Sequence, residues 1–370
     1  MAVWNLATIE QEFTEAALNP ANWVKALDAA AVATESYGAV LIPMSGGVLP
    51  SLPFTESIAG SFEAYIRDGW YQRDERFRGT AVMKRLGVVD DLDILNADAI
   101  SRHPYYQEFL APHGLRWFAG VKVACGDEFW CLSIQRTIEQ GPFSEAEKRR
   151  LADLSSRLSA SAAVAQALGA AAASGALEAF EASATGVLLV NRHGRIFRSN
   201  RSAERLLVGD VEINKSQLVT RNSAAGALLN AKIGALLQRV DGGLSEPVLL
   251  PRHDRRPLLA YAVRFFGATA NAFADCQAMI VLIDLDDGPK PPEATLRSVF
   301  RLSEAEARLG AQLATGDSLE SVAGRLGIAK ETSRSQLKSV FAKTGVRRQS
   351  ELVAVLARLL AVGRPAQKER

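Results

Sequence analysis

Between residues 302 and 352, capping signals, apolar residues at helical spacing and turn glycines follow one another so regularly that a run of short packed helices is required. Ser303 followed by Glu306 is a capping box, in which the hydroxyl accepts from the backbone N–H three residues on and the carboxylate reaches back to the cap's own N–H. Leu302, Leu309 and Leu313 give the helix that starts there its apolar stripe, and Gly316 supplies the left-handed residue that ends it. Asp317 with Glu320 is expected to open a second helix in the same way, with Leu319, Val322, Ala323 and Leu326 facing inward and Gly327 ending it. After Gly327-Ile328-Ala329, a third helix over 330–344 buries Leu337, Val340 and Phe341 and turns Thr332, Arg334, Ser335 and Lys338 outward. Two helices joined by a short Gly-containing turn set the second for the major groove, so double-stranded DNA is the expected partner.

Charge agrees with that reading. Residues 297–370 hold fourteen Lys/Arg against seven Asp/Glu, whereas the remainder holds twenty-nine against thirty-four. The modest whole-chain charge of +2 therefore hides a basic module on an acidic body, as expected where one end meets phosphate.

This stretch resembles the LuxR-type, or NarL-type, helix-turn-helix family in Leu302, Ser303, Glu306, Gly316, Ala323, Leu326, Ile328, Thr332, Leu337, Lys343, Gly345 and Val346. Ala329 stands where the family usually has a capping Ser, and Ser333 where it usually has Val. The resemblance implies a fourth helix for dimer contact, for which residues 349–360 are the candidate. By chemistry, Arg334 and Lys338, one helical turn apart, suit guanine O6/N7 or phosphate, Thr332 and Ser335 donate to phosphates, and Lys330 meets phosphate near the helix start. Glu306 is placed to pair with Lys343 and lock the first helix to the third; the alternative is two exposed charges worth under about 1 kcal/mol. Lys343 is not counted among the DNA contacts for that reason.

At 370 residues the chain is too long for one ordinary core, and two or three domains are expected. Its N-terminus lacks a basic region followed by an apolar core, so no signal peptide is indicated. Residues 159–176 are mainly Ala with Ser, Gln and Gly, too weakly hydrophobic for a good membrane span, so a cytoplasmic protein with no membrane partner is expected. Cys125, Cys131 and Cys276 form no CxxC and read as small buried hydrophobes, a Cys125/Cys131 redox switch being the alternative. His103, His113, His193 and His253 are scattered without metal-ligand spacing. No nucleophile elbow, Gly-rich phosphate loop or metal constellation is visible, so no catalytic residue, cofactor or metal is assigned and an enzyme is not expected.

Residues 183–285 read as a small α/β unit. A strand over 187–190, the turn Asn191-Arg192-His193-Gly194 and a strand over 195–199 make a hairpin, followed by a helix near 201–207 and strands over 248–250, 258–265 and 278–283. This order, with Gly186, Gly194 and Asn200, Ala203 and Leu206, resembles a PAS-type sensor domain, a fold that holds haem, flavin, a metabolite or nothing. No Cys-bearing flavin signature is visible, and His193 in its turn reads as a surface residue.

Residues 1–143 suggest a second sensor layer, with helices over 5–18, 20–34, 56–68 and 105–111, and strands over 39–43, 117–123 and 128–136, the last two joined at Cys125-Gly126-Asp127. Helices on a central antiparallel sheet resemble the GAF-like fold and the related domain that binds acyl-homoserine lactone autoinducers. Tyr65 and Asp74 keep the autoinducer family's Tyr-to-Asp spacing, but Ser61 occupies its Trp position and Glu75 its Pro position. Aromatics gather here, and a pocket for a small, partly polar ligand is expected at Tyr65, Trp70, Asp74, Trp117, Phe118 and Trp130, with Trp70 and Asp74 one helical turn apart. Filling of a core explains each aromatic singly just as well.

A second capping box, Ser144 with Glu147, opens a long helix over 144–182 whose Leu151, Leu154, Leu158 and Leu168 have a/d-like spacing. It is the candidate dimer seam and mechanical link, with packing on its own domain as the alternative. The Pro-rich stretch 286–296 reads as a short stiff linker.

The expected molecule is multidomain α+β: a GAF-like unit over 1–143, the connecting helix 144–182, a PAS-like unit over 183–285, the linker 286–296, and an all-α four-helix helix-turn-helix domain over 297–370. The expected function is a one-component, sequence-specific transcription regulator whose DNA affinity or promoter activity is set by a small-molecule effector. Duplex DNA, RNA polymerase and a second copy of the chain are its expected partners. The alternative is a regulator or sigma-like adaptor controlled by a protein partner.

Overall fold

The computed structural model describes residues 4–44, 52–238, 246–265, 271–286 and 290–360, with side chains in the last helix described through Leu356. The architecture is multidomain α+β, ending in a helical region. Buried apolar side chains among the described residues fall into separate clusters: a large and a small one with the first sheet and its flanking helices, two on the faces of the second sheet, and one among the C-terminal helices.

The first unit opens with α1 (Leu6–Leu18) and α2 (Trp23–Ala33), then β1 (Gly38–Pro43), α3 (Ala59–Arg67), α4 (Thr80–Leu86), β2 (Val88–Asp90) and α5 (Ala97–Ile100). A π-helical turn, Tyr105–Leu110, leads into the long hairpin β3 (Leu115–Cys125) and β4 (Glu128–Thr137). The strands form an antiparallel sheet in the order β1-β4-β3-β2. Because side chains alternate across a sheet, register decides everything that follows. Ala39, Leu41, Val121, Val123, Leu132 and Ile134 join the core made with α1, α2 and the long helix. Val40, Ile42, Phe118, Cys131, Ser133 and Gln135 face the other way.

That long helix is α6 (Glu145–Ala182), opened by the expected capping box. It is long and apolar enough to cross a membrane by length and composition, with a mean hydropathy of 1.3 over its most apolar window. Leu151, Leu154, Leu158 and Ala162 pack into the first unit's core, and Ala173 and Leu177 pack on the second sheet. The leucine stripe expected to form a dimer seam is therefore used within the chain, because it meets β3 and α1; Leu168 alone of the four leucines is exposed.

Beyond α6, β5 (Gly186–Asn191), β6 (Ile196–Ser199), α7 (Arg201–Leu206), a separate hairpin of β7 (Val211–Asn214) and β8 (Gln217–Thr220), and α8 (Ser223–Gln238) precede β9 (Val248–Arg252), β10 (Arg255–Arg264) and β11 (Cys276–Asp284). The main sheet runs β6-β5-β11-β10-β9. The hairpin turn forms as read, with Gly194 at φ 71° and the Asn191 carboxamide accepting from the His193 and Arg195 N–H groups. The β7–β8 hairpin and α8 had no clear signature in the sequence. Between β10 and β11, Phe273 leaves this unit and enters the first unit's core.

The third unit contains α9 (Glu293–Phe300), α10 (Glu304–Leu313), α11 (Leu319–Leu326), α12 (Lys330–Thr344) and α13 (Gln349–Leu360). The stretch read as a linker over 286–296 is thus shorter than expected. Its last residues already form α9, because Leu296 finds burial against α10. Residues 287–289 of that stretch lie outside the described residues. α10 begins at the Ser303–Glu306 capping box, as its spacing requires. α11 is capped by Ser318 and not by Asp317, whose carboxylate instead takes Arg325 and the Thr315 hydroxyl. Gly327 closes α11 at φ 66°, the left-handed conformation that makes the turn into α12.

Candidate functional site

Among the described residues, a cavity in the first unit and the outer face of α12 are the candidate sites.

The cavity follows from strand parity. Its floor is the second face of the first sheet, with Val40 and Ile42 from β1 and Cys131, Ser133 and Gln135 from β4. Phe62 and Tyr65 of α3, with Tyr105 and Phe109 of the π-helical turn, wall it in. The empty space is about 670 Å³, part of it the open mouth. The lining is chiefly apolar, with a few convergent polar groups, which is the composition of small-molecule sites.

Those polar groups form one network around Arg76, which is 7% exposed. Its Nε donates to Asp91 Oδ1 at 2.9 Å, Nη1 to Gln135 Oε1 at 2.9 Å, and Nη2 to the Arg116 carbonyl at 3.1 Å, while the guanidinium lies 4.2 Å above the Phe118 ring. Asp91 also accepts from the Tyr106 hydroxyl at 2.7 Å and the Phe118 N–H at 2.6 Å. Burial pushes the Asp91 carboxyl upward while Arg76 opposes it; burial alone would lower Arg76, and Asp91 together with Tyr105, Tyr106 and Asp74 more than offsets that, leaving it raised. Asp74 accepts from the Tyr65 hydroxyl at 2.7 Å and the Arg76 N–H at 2.9 Å. Burial likewise raises the Asp74 carboxyl, and burial followed by the Asp74 charge raises the Tyr65 phenol.

Of the expected ligand residues, Tyr65, Asp74 and Phe118 line this cavity. Trp70, Trp117 and Trp130 do not. Trp70 stacks on Phe109 with centroids 5.5 Å apart and lies under Arg73; it belongs to a 3₁₀ turn while Asp74 is extended, so the two are not one helical turn apart. The register of β3 and β4 turns Trp117 and Trp130 to the opposite face, where Trp130 meets Phe273 at 5.1 Å. Tyr105 and Tyr106 belong to the aromatic cluster the sequence shows without being singled out as ligand residues, and Arg76, Asp91 and Gln135 carry no signal there. Arg76 sits two residues beyond Asp74, but nothing local marks Arg76 and Asp91 as a buried pair.

Cys131 lines the cavity, whereas Cys125 faces α6 from the other side of the sheet, so the two thiols cannot meet. Burial pushes them up to about 12 and about 11 respectively, which disfavours the thiolate at both. Among the described residues no group of His, Cys, Asp or Glu is arranged to hold a metal.

On α12, Lys330, Thr332, Arg334, Ser335 and Lys338 are all exposed, while Ser333 and Val340 are buried against the rest of the unit. Ala329 offers no side-chain cap, and Ser333 satisfies its buried hydroxyl on the Lys330 carbonyl at 2.8 Å. Arg334 pairs with Glu331 at 2.9 Å, and Lys330 pairs with Glu320 of α11. The helix is held in place from behind. Glu306, buried on α10, accepts from Lys343 at 2.6 Å and the Ser339 hydroxyl at 2.6 Å while serving the capping box.

Lys343, then Ser339 and the Ser303 N–H, lower Glu306 from its ordinary 4.5 to about 2. With the folded value below the unfolded one, the stabilisation is full above about pH 4.5 and is lost as pH falls toward 2. We expect the third unit to lose about 2 kcal/mol over that window, allowing for the part-exposed Lys343. Hydrogen exchange of its helices, corrected for intrinsic rates, checks this. A Glu306→Gln variant should show a flatter acid limb, and an equally steep one would assign the loss elsewhere.

No protein-family model matches the chain, and no curated protein matches it. Among solved structures, the crystal structure of the phage VqmA–DPO complex is similar over 54% of this chain and 93% of that one, at 15% identity and a TM-score of 0.25. A likeness of that depth says nothing of what this chain binds, so the functional reading rests on its own residues.

Proposed function

We propose that this protein is a one-component, sequence-specific DNA-binding transcription regulator whose affinity for its operator is set by a small molecule bound in the first unit. The observation that carries the DNA-binding half is the exposed face of α12. Thr332, Arg334, Ser335 and Lys338 project from a helix fixed by Gly327 at its start and by Glu306–Lys343 behind it. A rigid helix presenting two cations and two hydroxyls suits a groove lined with phosphates and acceptor edges. The effector half is supported by the cavity, where an apolar floor and the Asp74–Tyr65 and Arg76–Asp91 pairs would fix one orientation of a small, mainly apolar ligand. Such a ligand can bias the molecule only by its differential affinity for two arrangements. We further read the protein as cytoplasmic, non-enzymatic and acting as a dimer with RNA polymerase.

Binding of the full chain to a randomised duplex pool tests the proposal. The wild type should enrich a defined sequence. Arg334→Ala should weaken binding to it by about 1–3 kcal/mol if the guanidinium reads a base, or lower the salt slope by about one if it meets only phosphate. Failure of the folded wild type to enrich any sequence would refute the reading.

A further inference from the structure

We infer that Glu331 selects a cytosine in the operator by accepting a hydrogen bond from its N4 amino group in the major groove, an inference that rests on the DNA-binding reading above. Glu331, Arg334, Ser335 and Lys338 stand at i, i+3, i+4 and i+7 along α12, the spacing of a single helix face. Glu331 therefore enters the groove together with the residues that face it. It also lies in the first turn, and the N-terminal residues of a recognition helix are those that reach base edges. Its side chain is 84% exposed, and Arg334 on the same face is its ion-pair partner, at 2.9 Å. Lys330 borders this stripe, four residues before Arg334, but is turned toward Glu320 of α11, which suits phosphate and not bases.

A carboxylate carried into a groove walled by phosphates is repelled unless a donor meets it. Guanine offers O6 and N7, thymine O4, and adenine an amino group beside the N7 acceptor. Cytosine alone presents an amino donor with no acceptor beside it. Glu331 thus rejects most sequences by repulsion and accepts one by hydrogen bonding. Its carboxylate also offsets one of the two cations on the stripe, so random duplex gains little from the contact. In the free protein the Glu331–Arg334 pair holds both side chains on the reading face. At an operator with neighbouring cytosine and guanine, the two part, each to its own base.

Selection from a randomised duplex pool with the full chain, in wild-type, Glu331→Ala and Glu331→Gln forms, tests this. The wild type should fix one cytosine. Glu331→Ala should keep the other preferred positions, lose discrimination at that one by about tenfold or more, and bind random duplex several-fold tighter. Glu331→Gln, whose amide both donates and accepts, should move the preference there to adenine. If all three proteins enrich one identical sequence and bind random duplex equally, Glu331 only tethers Arg334 and the inference is overturned while DNA binding stands. If the wild type enriches nothing, the DNA-binding reading fails and takes this one with it.

Discussion

Replacing Arg76 with Met should cost the first unit about 3–5 kcal/mol, because the substitution strands a buried carboxylate. Asp91 is 1% exposed and would keep the Tyr106 hydroxyl and the Phe118 N–H but no cation. Gln135 and the Arg116 carbonyl would each lose a donor at the same stroke. The chain provides its own probe for this unit. All five tryptophans, Trp4, Trp23, Trp70, Trp117 and Trp130, lie in it, so urea unfolding followed by tryptophan fluorescence reports that unit selectively. Its midpoint should fall sharply for Arg76→Met. The double variant Arg76→Met/Asp91→Asn should recover a good part of the loss, since it removes the uncompensated charge while leaving an acceptor for Tyr106 and Phe118. A single variant that costs under about 1 kcal/mol would mean that water reaches Asp91 and that the network does not hold the cavity's shape.

What the sequence discloses depends on how local the controlling signal is. The third unit was readable almost residue by residue, because capping boxes, turn glycines and apolar spacing act within a few positions of themselves. Even the Glu306–Lys343 pair could be anticipated from two helices known to pack. α9 escaped because a Pro-rich approach masked a short helix that only the burial of Leu296 sustains. In the first unit the hairpin strands were found, but an aromatic inventory cannot tell which face of a strand a ring takes. Trp130 and Cys131 are neighbours in sequence and lie on opposite faces, one in the packed core and one in the cavity. Arg76 and Asp91 meet only because a 3₁₀ turn and the end of the three-residue edge strand β2 are brought over the same sheet, a long-range fact with no local signature.

That edge strand also shows how the cavity is joined to the rest of the chain. Asp91 points into the cavity network, while Asp90, next to it, pairs with Lys148 of α6 at 3.4 Å, and Lys148 also takes Asp93 at 3.0 Å. Asp90 is tightly enclosed, at 2% exposure, and that burial, then the neighbouring Asp93, lifts its carboxyl to about 6. The cavity and the long helix are thus gripped by the last residue of one short strand and the residue that follows it. α6 continues from there onto the second sheet, giving a continuous packed path between the two units.

A second tie between these units is Phe273, and its loss should be among the costliest single changes in the molecule. It comes from the β10–β11 connection of the second unit, is fully buried, and sits edge-on between Trp23 at 5.0 Å and Trp130 at 5.1 Å in the first unit. The segment that carries it is pinned to α6. Asn271 Nδ2 donates to the Ala165 carbonyl at 2.7 Å, and Ala274 lies so close to Gly169 that a Cβ there would come within 2.8 Å of its own. Phe273→Ala removes a whole ring from a site the surrounding strands and helices cannot close, an expected loss of about 3–5 kcal/mol. The fluorescence-monitored midpoint should fall accordingly, and calorimetry should show the two units melting further apart, since the contact that couples them is gone. Phe273→Leu, which keeps most of the volume and loses the paired rings, should cost about 1–2 kcal/mol. Equal small losses in both variants, with no separation of the transitions, would show that α6 alone joins the units and that the aromatic insertion is dispensable.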